Sequence, residues 1–123
     1  MFEKIYSPDR INYLILVILS FFINFYYSNL GVLPQDTFAY YDTGYRVLNG
    51  AIPFKDYWTV SGPFIDYLQA ILFSIFSVSW EAYIINGSII NSVITVIFYY
   101  TLNIYNQRRS LNLFYCICFS ILA

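Results

Sequence analysis

Between Pro34 and Pro63 the chain gathers acids, bases and turn residues that could do chemistry. The stretch holds Asp36, Asp42 and Asp56, with Asp66 just beyond: four of the seven acids. It also holds Arg46 and Lys55, two of the six bases, and three of the four prolines. On either side lie long runs without charge. A segment of acids and turns held between two apolar runs is where chemistry at a membrane surface would be placed. Asp36, the first acid after the first run, is the leading candidate, and Asp56 the second.

The elements that must position these residues follow from composition. Only 11% of the 123 residues are charged, against about 25% in ordinary soluble domains, while 59% are hydrophobic and 23% aromatic. No charge occurs between Arg10 and Asp36, or between Glu81 and Arg108. Each gap exceeds the roughly 20 apolar residues that cross a bilayer core. A soluble chain this short has no interior able to hide two such helices, so an all-α, multi-pass membrane protein is expected. A net charge of −1 gives no basic footprint for nucleic acid. With no histidine, and with Cys116 and Cys118 turned to different faces of an apolar helix, neither a zinc site nor a disulfide is expected. No cofactor is implied by the residues, and a divalent metal stays open.

Ile11 to Leu33 reads as the first span. The Asn24-Phe25-Tyr26-Tyr27-Ser28-Asn29 end lacks a small-x-small cleavage pattern, so this run is expected to be retained rather than removed as a signal. Asp36 to Asn49 has helical period, with Phe38, Tyr41, Tyr45 and Leu48 on one stripe, and Asp42 and Arg46 as an i, i+4 pair. Asn49-Gly50 stops it. Residues 52 to 62 read as loop. A helix from Pro63 to about Ser79 has too short an uncharged part to span comfortably, so both helices are expected to lie on the membrane surface. Residues 82 to 107 form the second span, and another begins at Leu111. The Asn86-Gly87-Ser88 sequon falls inside apolar sequence and is set aside. The last run, stopping at Ala123, is too short to cross, and the chain is expected to be the front of a larger protein. The positive-inside rule then puts Lys4, Arg10, Arg108 and Arg109 in the cytoplasm, with the N-terminus, and the loop of about 34–81 outside.

The series Asp36, Tyr40, Gly44, Leu48-Asn49-Gly50, Ile52-Pro53-Phe54-Lys55-Asp56, Trp58, Gly62-Pro63 and Tyr67-Leu68 resembles the start of the GT-C superfamily. Its nearest branch looks like the bacterial relatives of protein O-mannosyltransferases and lipid A aminoarabinose transferases. The resemblance covers roughly residues 10 to 110. It implies a polytopic glycosyltransferase of the inner or plasma membrane that uses a polyprenyl-phosphate sugar as donor. Asp36 would be the general base that takes the acceptor hydroxyl's proton, with inversion at the sugar. Asp56, Lys55, Arg46 and Tyr40 would bind substrate, Lys55 or Arg46 meeting the donor phosphate. Thr37 stands where that family commonly has a second acid, and Tyr83 and Ile84 stand where it often has an arginine. The first difference argues against a two-carboxylate or metal-bridging role.

Simpler roles compete for the same residues. Asp36 could cap the surface helix, Asp42 could be only a solvated partner of Arg46, and Asp56 could be a turn residue. Tyr57, Trp58 and Trp80 suit interfacial anchors as well as sugar platforms. Asp66 is either a first-turn acid or a polar group facing a bundle. A non-catalytic membrane scaffold or partner subunit is the alternative to the transferase.

Overall fold

The computed structural model describes the backbone of residues 9–31, 34–105 and 108–122, with side chains for all of these except 9 and 34–36. The described residues form five helices: α1 (Asp9–Ser28), α2 (Pro34–Leu48), α3 (Pro63–Phe76), α4 (Trp80–Tyr105) and α5 (Arg109–Leu122). Two of them, α1 and α4, are long and apolar enough to cross a membrane. At about 1.5 Å per residue the 14-residue α3 and α5 reach only about 21 Å, short of a core about 30 Å thick.

The helix ends follow local chemistry. α1 stops at Ser28 instead of continuing to Leu33, at a turn formed by Asn29 and Leu30. α2 opens on Pro34, whose missing N–H costs nothing in a first turn. Asp36 therefore sits inside that first turn instead of capping it, and its carboxylate falls outside the described side chains. α2 ends at Leu48 and turns at Gly50, whose φ of 90° suits only glycine, with Asn49 Nδ2 donating to the Tyr45 carbonyl at 2.8 Å. α3 ends at Phe76, short of the expected Ser79, because Ser77 turns to a φ of 68°. Ser79 instead starts α4, its hydroxyl accepting the Ala82 N–H at 3.1 Å.

The helices assort into two compact units. The first comprises α1, the larger part of α4, and α5. Here α1 and α4 run antiparallel, joined rung by rung through polar side chains. Asn12 Nδ2 donates to Tyr99 Oη at 2.9 Å, and Ser20 and Thr95 share a hydrogen bond at 3.1 Å. Ser88 donates to Asn24 at 3.2 Å, and Ser92 to the Val17 carbonyl at 3.3 Å. α5 joins α4 beside α1, through Thr95–Ser120 at 3.4 Å and Asn112 Nδ2 to Asn103 Oδ1 at 2.7 Å. Leu16, Tyr99 and Cys116 form the buried apolar centre, and Tyr13 meets Tyr99 edge to face at 5.1 Å. Burial is inverted relative to a water-soluble domain. Ser20, Ser88, Ser92, Thr95, Asn112 and Ser120 are buried, while Leu14, Ile18, Phe22, Ile94, Ile97 and Phe114 are exposed.

The second unit, Ser28–Asn86, holds α2, α3 and the first turns of α4. Its helices meet closely because Gly44 has no side chain: a Cβ there would come within 2.8 Å of Gln69 Cβ. Tyr41 packs on Phe73 and Tyr83 at centroid distances of 4.9 and 5.9 Å, and Trp80 stacks on Tyr83 at 5.3 Å. Gly44→Val should cost about 1–3 kcal/mol through overpacking. Gly31→Ala, at a position with nothing within 4 Å, should be close to neutral. Thermal unfolding of the two variants in detergent measures the difference, and equal midpoints would contradict the close α2–α3 approach.

Candidate functional site

The polar groups of the second unit converge on the segment joining α2 to α3. Residues 52–57 form a tight turn. The Asp56 N–H donates to the Ile52 carbonyl at 2.9 Å, and the Phe54 N–H to the Tyr57 carbonyl at 2.8 Å. Asp56 Oδ2 accepts the Ile52 N–H at 2.8 Å, so this carboxylate closes its own loop. Phe54 takes a left-handed φ of 65°, a conformation costly for a bulky residue. Lys55 is exposed beside it.

Arg46 Nε donates to Asp42 Oδ2 at 2.6 Å, one turn back on α2, with both side chains about half exposed. Such a pair contributes at most about 1 kcal/mol. The same guanidinium lies 6.0 Å from the centroid of the Tyr57 ring, within reach of a cation–π contact. The Tyr57 hydroxyl donates to Asp66 Oδ2 at 2.8 Å. Asp66 is 1% exposed, and its other oxygen has no protein partner among the described residues. Arg46, Tyr57 and Asp66 thus form one line from solvent to the interior. Burial first, then the Asp66 hydrogen bond and charge and the nearby Tyr67, push the Tyr57 phenol well above the usual tyrosine range, while Arg46 pulls the other way. Tyr57 remains a donor to Asp66 throughout the physiological range.

One turn along α3, Gln69 is equally buried and accepts the Asn86 amide at 2.7 Å. Thr59 Oγ1, Gln69 Nε2 and Asn86 Oδ1 also lack a protein partner among the described residues. No group of three or more His, Cys, Asp or Glu side chains is positioned for a metal among those residues. In the first unit, Val17, Phe21, Ile89, Val93 and Ile97 line an apolar groove of about 370 Å³, with no charged side chain in its walls.

The predicted site residues therefore divide. Arg46 is drawn to Tyr57 and, through it, to Asp66. Asp56 and Lys55 stay in the turn. Tyr40 is half-buried, its carbonyl accepting the Thr43 hydroxyl at 3.1 Å. Asp36 shares a helix with Tyr40 and Arg46. Asp66 takes both roles left open for it: it is the acid in the first turn of α3, and it is buried with Tyr57 as its partner. Sequence reasoning did not connect Tyr57 to Asp66, because only the folded turn brings them together. It also passed over Asn86, whose pairing was signalled by Asp66 and Gln69 at i, i+3 on an otherwise apolar helix.

Removing the phenol hydroxyl leaves a buried carboxylate without its donor, so Tyr57→Phe should destabilise the protein by about 1–3 kcal/mol. Asp66→Asn, which keeps an acceptor, should cost less. Because the folded phenol titrates above its unfolded value of about 10, its stabilisation is complete below about pH 10. It is lost as pH rises further toward the folded value, so the gap between wild type and Tyr57→Phe should narrow there. Thermal midpoints across that range decide it, and a gap independent of pH would place the Tyr57 effect elsewhere. No protein-family model matches the chain, and no curated protein or solved structure does.

Proposed function

We propose that the chain is a helical integral membrane protein and that it forms the loop-bearing front of a GT-C-like sugar transferase. The observation that carries the membrane reading is the inverted burial of the first unit. Its hydroxyls and amides face inward and hydrogen-bond across helices, while Leu, Ile and Phe face outward. Water would penalise such a surface, whereas lipid favours it and leaves interhelical hydrogen bonds to hold the helices together. The transferase reading is supported by the resemblance and by the character of the Ser28–Asn86 unit. That unit lies in sequence between the two long apolar helices, and its α2 carries Asp36 in the first turn.

In this reading Asp36 accepts the acceptor's O–H proton as that oxygen attacks the anomeric carbon. The bond from that carbon to the phosphate oxygen breaks, and polyprenyl phosphate leaves with its electron pair. Attack opposite the leaving group inverts the centre. Lys55, exposed at the turn, meets the donor phosphate more readily than Arg46, which is already engaged with Asp42. Tyr40, on the same helix as Asp36, and Asp56 complete the substrate contacts.

A non-catalytic membrane subunit is the second reading. It is favoured by the internal engagement of Asp42, Asp56 and Asp66 with Arg46, Ile52 and Tyr57. The two are separated by assaying membranes that carry the protein of the whole reading frame, supplied with labelled polyprenyl-phosphate sugars. Asp36→Asn should lower transfer about 100- to 10,000-fold without loss of membrane-inserted protein. Asp42→Asn, which removes only an exposed pair, should leave transfer largely intact. Wild-type turnover by Asp36→Asn would remove Asp36 from the chemistry, and absence of transfer by the unaltered protein would favour the subunit.

The topology is tested separately. With Cys116 and Cys118 replaced, a single cysteine at position 55 should react with an impermeant reagent from outside. Cysteines at positions 4 and 109 should not. Labelling of position 109 from outside would mean that α3 crosses the membrane.

A further inference from the structure

The turn between α2 and α3 carries a concentration of exposed apolar side chains that the proposed chemistry does not use. Phe54 is 55% exposed, Trp58 79%, Val60 81% and Phe64 74%, with Ile52 also exposed. They occur within one short stretch whose shape is fixed by the hydrogen bonds at Ile52, Phe54 and Asp56 and by the anchoring of Tyr57 to the buried Asp66. A rigid turn that keeps these groups in water is paying a continuous hydration penalty.

Charge narrows what can relieve that penalty. Lys55 is exposed among the apolar residues, while the neighbouring Asp56 turns an oxygen back to the Ile52 N–H. The apex therefore offers bulky apolar groups with an exposed Lys55 beside an exposed Asp56 whose Oδ2 is held by its own turn. Phe54 and Trp58 meet edge to face, at 5.3 Å and 77°, so they do not form a single flat platform for a sugar ring. Val60 and Ile52 have no ring face at all. Aromatic and aliphatic side chains beside a lysine suit the headgroup layer of a bilayer with anionic lipid.

We infer that the 52–64 turn is an interfacial anchor. Phe54, Trp58, Val60 and Phe64 enter the headgroup–acyl boundary, and Lys55 lies at the phosphate level, meeting an anionic lipid phosphate until the donor's phosphate takes that place. The inference rests on the membrane reading above, since α1 and α4 flank this segment in the chain. Anchored there, the turn holds the start of α3 against the lipid surface, the level at which a polyprenyl-phosphate headgroup would be met.

The test uses the full chain in bilayers containing phosphatidylglycerol, with Trp80→Phe leaving Trp58 as the sole tryptophan. Trp58 emission should be blue-shifted, quenched strongly by lipids brominated near the carbonyls and weakly by lipids brominated near the acyl ends. Lys55→Glu should reduce that quenching in anionic bilayers more than in zwitterionic ones. A second reporter, Ile94→Trp with both native tryptophans replaced by Phe, should be quenched by the deep label. Deep quenching at position 94 with Trp58 unquenched would overturn the anchor and leave the membrane reading intact. No quenching at either position would overturn both. Should Trp80→Phe fold poorly, a spin label at Val60→Cys, with Cys116 and Cys118 replaced by Ser, reads the same depth. Accessibility there to a water-soluble relaxant equal to that of a solvent-exposed site would overturn the anchor. Trp58 quenching by an added free sugar, with none by brominated lipid, would also overturn it, in favour of a carbohydrate platform.

Discussion

Hydrogen bonds between small polar side chains on facing helices are the interaction on which the first unit depends. Asn12, Ser20 and Asn24 recur at multiples of four residues along α1, and Asn112 and Ser120 do the same on α5. Both sets meet α4, where Ser88, Ser92, Thr95, Tyr99 and Asn103 follow each other at intervals of three or four. One stripe per helix thus carries the buried polar groups, interrupted by Leu16, Tyr99 and Cys116 of the apolar centre, and the remaining circumference is free to be apolar. Among water-soluble helices the arrangement would be the reverse, with the apolar stripe inside. In lipid the hydrophobic drive for helix association vanishes, and close packing with interhelical hydrogen bonds takes its place. Thr95 shows the economy of the device, since its hydroxyl engages the Asn91 carbonyl, Ser20 and Ser120 at once.

The second unit solves a different problem. It must place charges and turns beside apolar surface, and it does so by tying most of its acids locally. Asp42 goes to Arg46, Asp56 to the backbone of its own turn, and Asp66 to Tyr57. Gly44 lets α2 and α3 approach closely enough to bury Gln69 and its Asn86 partner. This leaves Lys55 exposed at the turn.

The helices themselves were legible in the sequence, because charge-free runs and prolines mark them. Their ends were less so. α1 was expected to reach Leu33, and the turn at Asn29-Leu30 ended it sooner. Asp36 was read as a possible cap, and Pro34 proved to be the start of the helix. The Asp56 turn and the Asp42–Arg46 pair were visible from local rules, since both are contacts within four residues. The Tyr57–Asp66 contact was hidden, because it forms only when the 52–62 segment folds back on α3. The polar stripes were present in plain letters yet were read only as uncharged. Hydropathy averages over a helix, whereas packing depends on which face each hydroxyl occupies.

In the proposed reading the apolar exterior of α1, α4 and α5 faces lipid. Extraction of membranes containing the protein with alkaline carbonate is the test, because carbonate strips proteins held by surface contacts and leaves those held by spanning helices. The chain should stay with the membrane pellet and be released only by detergent. Recovery of the folded chain in the carbonate supernatant would contradict it.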